Sequence, residues 1–156
     1  MSGPPTSIRE ARASDHATLV RFAAAMARET EDLALDPATL SAGVTALLAD
    51  PAKGRVFLLE QDGAPVATLM LTTEWSDWRN GWFWWIQSVY VEPAQRGRGH
   101  YRRLHEHVVA LAAERPDVYG LRLYVERENA AAQKAYRSLG MHETHYRLFE
   151  QATRKG

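Results

Sequence analysis

The chain has 156 residues, of which 46% are hydrophobic and 24% charged, an ordinary globular composition that suits one domain spanning 1–156. Its 19 Lys and Arg balance 19 Asp and Glu, so there is no basic excess to displace counterions from nucleic-acid phosphates, and no nucleic-acid partner is expected. With 0 Cys, disulfides, thiolate metal sites and a cysteine nucleophile are excluded.

The start, Met1 to Arg12, has no apolar core of a signal peptide. The longest apolar runs, such as Trp82 to Ile86, fall far short of the roughly 20 residues that cross a bilayer. A cytoplasmic protein with no membrane partner is the expectation.

A first strand is predicted over Ser7 to Ala11. Ser14-Asp15 then offers an N-cap to a helix whose apolar residues, Leu19, Val20, Phe22, Ala23 and Met26, recur at helical spacing out to about Arg28. The polar stretch Glu29 to Asp32 breaks the pattern and reads as solvated, with a cationic-amine pocket lined by Glu29, Glu31 and Asp32 as the alternative. Asp36-Pro37 restarts it as N-cap and first-turn proline, with Leu40, Val44, Leu47 and Leu48 as the buried stripe. Val56 to Glu60 and Pro65 to Trp75 are strands joined at Asp62-Gly63, a turn pair that tolerates positive φ. A second turn, Asn80-Gly81, leads to a strand over Trp82 to Glu92, so three consecutive strands make a meander.

A glycine-rich turn, Arg96 to Gly99, opens a helix with Leu104, Val108, Leu111 and Ala112 on one face. Leu121, Leu123 and Val125 form a strand. Asn129 caps a helix whose inner face holds Ala132, Tyr136 and Leu139, and Gly140 suits a left-handed C-cap. Met141 to Phe149 is predicted as a last strand. The order β-α-α-β-β-β-α-β-α-β defines an α+β domain with a mixed, mostly antiparallel sheet flanked by helices.

The segment from Val89 to Leu104 is the chemically informative one. A strand that ends in a glycine turn and opens a helix presents unpaired first-turn N–H groups and the positive end of a helix dipole, which together hold anions. Gly97 and Gly99 admit a close backbone approach, and Arg96, Arg98 and Arg102 add positive charge, so a phosphorylated ligand is expected; the plain alternative is a glycine turn joining strand to helix with solvated arginines. The GxxxxGK[ST] loop is absent, and the dinucleotide fingerprint would need glycine where Arg102 stands.

At these residues the chain resembles the GNAT superfamily of N-acetyltransferases, over about Ile8 to Phe149. The family pattern [RQ]-x-x-G-x-[GA] falls on Arg96, Gly97, Arg98, Gly99, His100 and Tyr101; Arg96 and Gly99 match, and Tyr101 stands where the family has a small residue. A second pattern, N-x-x-A-x-x-x-Y-x-x-x-G-[FM], is met by Asn129, Ala132, Tyr136, Gly140 and Met141.

The resemblance implies acetyl-CoA as acetyl donor, its pyrophosphate on the turn from Arg96 through Arg102, His100 and Tyr101 included. It implies a pantetheine arm along the fourth strand at Val89, Tyr90 and Val91, which requires the fourth and fifth strands to splay, a form of β-augmentation. It also implies direct attack by an amine of a small molecule or protein, without an acyl-enzyme. Tyr136 matches the position that protonates the departing thiolate, and Asn129 one that contacts the pantetheine arm. A base must deprotonate the amine; Glu74 and Glu126 are preferred, with Gln87 and a water relay open. The rival function is a non-catalytic acyl-CoA-binding or partner-binding domain of the same fold.

Plainer readings stand beside these. Tyr136 alone is a core tyrosine with one hydrogen bond, and Asn129 alone is a helix cap. No metal site is expected, because His142 and His145, and His105 and His107, lack ligand spacing. All five Trp lie between Trp75 and Trp85. Trp84 and Trp85 read as core, whereas Trp75 and Trp78 flank the turn and are candidates for an acceptor pocket or a homodimer contact.

Overall fold

The computed structural model describes residues 4–154. Two compact units divide the chain after Tyr124. The first unit is built on a five-stranded sheet of order β1-β2-β3-β4-β5, with β1 Thr6–Glu10, β2 Arg55–Gln61, β3 Ala64–Ser76, β4 Gly81–Val91 and β5 Val118–Arg122. Neighbouring strands are antiparallel except β4 and β5, which are parallel. Its helices are α1 His16–Glu31, α2 Pro37–Ala49 and α3 His100–Ala113. The second unit carries α4, Ala130–Ser138.

Sheet faces follow from side-chain alternation. Phe57, Leu59, Leu69, Leu71, Trp84 and Ile86 pack with Leu104 and Val108 of α3, the helical pair expected to face inward. On the other face Val56, Leu58 and Tyr90 pack with Leu19 and Phe22 of α1 and Val44 of α2. The two-sided burial of β2 to β4 explains their dense apolar runs.

The cap of α2 is as expected: Asp36 accepts from the Thr39 N–H at 2.9 Å, with Pro37 at the first helical position. Asp15 behaves differently. Its carboxylate turns back onto Arg9 and the Arg12 N–H, at 2.8 Å each, so it anchors a short 3-10 turn instead of capping α1. α1 also outruns its expected end at Arg28 and stops at Glu31, because Asp32 supplies a left-handed C-cap with φ 48°. At the second hairpin the positive φ belongs to Asn80, at 48°, while Gly81 already opens β4. There a side chain would meet the Asp117 carbonyl at 3.1 Å, so the glycine serves close approach.

Two further expectations are corrected. The fifth strand is Val118–Arg122, earlier than the Leu121, Leu123 and Val125 alternation suggested. Its start is set by β4, whose Trp82 N–H bonds the Asp117 carbonyl at 2.8 Å. The last predicted strand, Met141 to Phe149, is not a strand; the segment is exposed apart from Met141. Suitable residue types do not make a strand without a partner edge, and none of the described ladders includes this segment.

Candidate functional site

In β4, Met70 of β3 faces Ser88 whereas Leu71 faces Ile86, so Gln87 is an extra residue, a bulge. Bulges bend the strand that carries them and raise its twist. Parallel pairing with β5 runs only over Trp82 to Trp85 and ends just before the bulge. From Ile86 to Val91 the outer edge of β4 therefore has no strand partner among the described residues. The β4–β5 ladder stops at Trp85 and Arg122, where β5 ends, two residues before the Gln87 bulge. The Gln87 amide is itself engaged, donating to Thr72 Oγ1 at 2.7 Å.

Val89, Tyr90 and Val91 lie on this free edge, with Tyr90 buried against Phe22, ring centroids 5.2 Å apart. After Val91 a short 3-10 turn, Pro93–Gln95, leads into Arg96 and the glycine turn. Gly97 and Gly99 adopt φ of 78° and 80°, a left-handed geometry that side chains disfavour, and Gly99 is the N-cap of α3. The first-turn N–H groups of α3 follow directly.

The turn's side chains are mostly committed to the turn itself. Arg96 donates from Nε to the Val91 carbonyl at 2.9 Å and from Nη2 to Glu29 Oε2 at 2.6 Å. Glu29, read as solvated from sequence, is thus an ion-pair partner. Arg103 Nη1 bonds both the Arg98 carbonyl and His100 Nδ1 at 3.1 Å. Because a guanidinium only donates, His100 Nδ1 is the acceptor and its proton sits on Nε2. Burial pushes the His100 imidazole below its usual value, helped by Arg103 and Arg98, so it is neutral at pH 7. Tyr101, the residue in the small position, folds back along α3: its hydroxyl meets His105 Nδ1 at 3.1 Å. Its bulk therefore lies along the helix. Arg98 reaches the neutral Gln95 amide at 3.3 Å, and Arg102 reaches Glu106 at 3.4 Å.

Glu74, on β3, accepts on Oε1 from the Trp85 indole at 3.0 Å and from Arg122 of β5 at 2.9 Å. Arg122 also lies 3.6 Å over the Phe83 ring. Trp84 is core as expected, but Trp85 is only half-buried, its indole committed to this cluster. Trp75 and Trp78 are 48% and 87% exposed.

In the second unit Asn129 Oδ1 accepts from the Ala132 N–H at 3.0 Å, capping α4. Gly140, φ 94°, ends it as expected. Tyr136 is half-buried in α4, and burial raises its phenol above the usual tyrosine value. Glu126 Oε2 accepts from the Glu128 N–H at 2.8 Å in the loop before α4. Among the described residues no cluster of three or more His, Cys, Asp or Glu could hold a metal ion. Nor, among them, is any helix long and apolar enough to cross a membrane.

A mixed, mostly antiparallel sheet that opens beside a glycine turn and a helix N-terminus is the architecture of the acetyltransferase class. The Acetyltransferase (GNAT) family model matches residues 17–141, and the chain belongs to this family. Among solved structures, a possible acetyltransferase from Clostridium difficile 630 is 41% identical, with 96% of this chain and 99% of that chain covered and a TM-score of 0.91. The aminoglycoside N-acetyltransferase AAC(6')-Iy in complex with CoA is 15% identical, covering 97% of each chain at TM-score 0.79. Ribosomal-protein-alanine N-acetyltransferase from Brucella melitensis biovar Abortus 2308 is 17% identical, covering 95% of this chain and 99% of that chain at TM-score 0.75. The last two likenesses speak to fold alone. No curated protein gives a significant match.

Proposed function

We propose that the protein is an acetyl-CoA-dependent N-acetyltransferase, one domain acting on a primary amine of a small molecule or protein by direct attack in a ternary complex. One observation carries the reading: among the described residues the outer edge of β4 has no strand partner from Ile86 to Val91, and it continues into a glycine turn at the start of α3. An extended amide-bearing arm needs a free strand edge, and a pyrophosphate needs unpaired N–H groups at a positive helix end. Both lie in sequence here. The CoA complex of a structural neighbour supports the choice of ligand. The family match, 17–141, runs across the division after Tyr124, which supports a single domain.

In this reading Val89, Tyr90 and Val91 hold the pantetheine arm, and residues Arg96 to Arg102 hold the pyrophosphate. Acetyl-CoA supplies the activated thioester. A backbone N–H near Val89 faces the carbonyl oxygen as charge develops. Tyr136 gives its phenolic proton to the departing thiolate, as its place in the family pattern implies. Asn129 contacts the arm in addition to capping α4. Glu74 and Glu126 are the groups offered for accepting the amine proton. The exposed Trp75 and Trp78 at the hairpin tip are the surface offered to an acceptor or a second copy.

Isothermal titration with CoA and acetyl-CoA tests the binding half. A ligand at 100 times its Kd adds about 2.7 kcal/mol of stability; no heat and no thermal shift would end the proposal. Thiol release across a panel of amines tests the chemistry, and saturable CoA binding without turnover would identify a binding module. Tyr136→Phe is expected to lower kcat by about 10²-fold or more with little change in acetyl-CoA affinity. Unchanged turnover in that variant removes Tyr136 from the acid role.

A further inference from the structure

The geometry points to Glu29 as a positioning residue for the cofactor turn, acting through Arg96; the inference rests on the acetyl-CoA reading above. Arg96 occupies the family's first motif position, yet its guanidinium is already tied to the protein at three points. Nε bonds the Val91 carbonyl at 2.9 Å, Nη2 bonds Glu29 at 2.6 Å, and the guanidinium carbon lies 5.6 Å from the Tyr90 ring centroid. Its charge is met by a carboxylate of the protein itself. What Arg96 supplies is shape, because it fastens the start of the turn to the end of β4 and to the last turn of α1.

Two observations explain why such a fastening is needed. Gly97 and Gly99 follow at once, and glycine gives a loop many conformations to lose when a ligand orders it. Glu29 also sits where a helix does not favour it, since acidic groups near a C-terminus oppose the helix dipole. Arg96 compensates that charge. Two α1 residues grip the same corner: Arg21 pairs with Glu92 at 2.6 Å and Glu29 with Arg96 at 2.6 Å. Reach, charge and placement all assign Glu29 to holding the turn in the shape that the ligand meets.

The test is a double-mutant cycle read by calorimetric titration with CoA, using wild type, Glu29→Gln, Arg96→Gln and the pair. The ion pair is partly exposed, so Glu29→Gln should weaken CoA binding about three- to fivefold, with the thermal midpoint within about 1 °C of wild type. In the Arg96→Gln background the same change should have no further effect, because a residue that acts through Arg96 has nothing left to position. Glu29→Asp, which keeps the charge, should bind within about twofold of wild type. Additive losses, unchanged affinity in Glu29→Gln, or tighter binding there would each overturn the assignment. Wild-type protein that binds no CoA would instead overturn the functional reading and this inference with it.

Discussion

Asp15 and His100 show how single residues are held in one protonation state, the first charged and the second neutral, both by a lowered pKa. Asp15 is buried, 6% exposed, and accepts from both terminal nitrogens of Arg9 and from the Arg12 N–H. The Arg9 hydrogen bonds hold its carboxyl below the usual aspartate value. The unfolded chain takes up that proton first as pH falls, so this stability is complete above about 3.9 and is lost through the lower folded value. His100 and His105 are held neutral, burial being the main cause in both. Their contribution is complete above about 6.5 and is lost on acidification below it. Thermal midpoints measured from pH 8 to pH 3 should therefore fall in two stages. His100→Asn, which keeps an acceptor for Arg103 but does not titrate, should flatten the upper stage. Asp15→Asn should lower stability by about 2 kcal/mol at pH 7 and flatten the lower one. A single acid transition, unmoved by either variant, would contradict the assignment.

Elements whose determinants are local were legible in the sequence, and those set by distant partners were not. Asp36-Pro37 carries its own N-cap and fixed φ, and α2 starts there. Gly97 and Gly99 take the left-handed conformations that mark the turn. By contrast, nothing near Gln87 signals a bulge, which exists only in the register between β3 and β4. The start of β5 depends on Asp117 meeting Trp82, and the Met141 to Phe149 segment has strand-forming residues but pairs with no strand among the described residues. Glu29 looked solvated because its partner lies 67 positions away. The glycines make the same contrast testable. At Gly54, in the link from α2 to β2, a Cβ would meet the Leu71 carbonyl at 2.7 Å, whereas at Gly97 nothing lies within 4 Å. Gly54→Ala must push a β3 backbone atom, and urea unfolding should show a loss of about 2 kcal/mol or more. Gly97→Ala carries only the left-handed penalty of roughly 1–2 kcal/mol. Equal losses in the two variants would mean that the close approach at Gly54 is relieved elsewhere.

At the scale of the whole molecule, composition and site argue together about the order of events. Net charge is zero, yet four of the 19 Lys and Arg fall between residues 96 and 103, a local cluster of positive charge at the turn. Their pairing with Glu29, Gln95, Glu106 and backbone carbonyls keeps that field local. The chain also lacks cysteine, the side chain best suited to taking an acyl group from a thioester near neutral pH. The proposed direct transfer requires both substrates to be bound before any bond changes. In the proposed reaction the amine nitrogen bonds to the thioester carbonyl carbon, the carbon–sulfur bond breaks, and the proton lost by the amine is balanced by the one gained by the thiolate. Initial rates measured against acetyl-CoA at several fixed amine concentrations should give intersecting double-reciprocal lines. Protein incubated with acetyl-CoA alone should keep its mass. Parallel lines together with a stable acetylated protein would show that a side chain carries the acetyl group, and the ternary-complex mechanism would have to be abandoned while the family assignment stood.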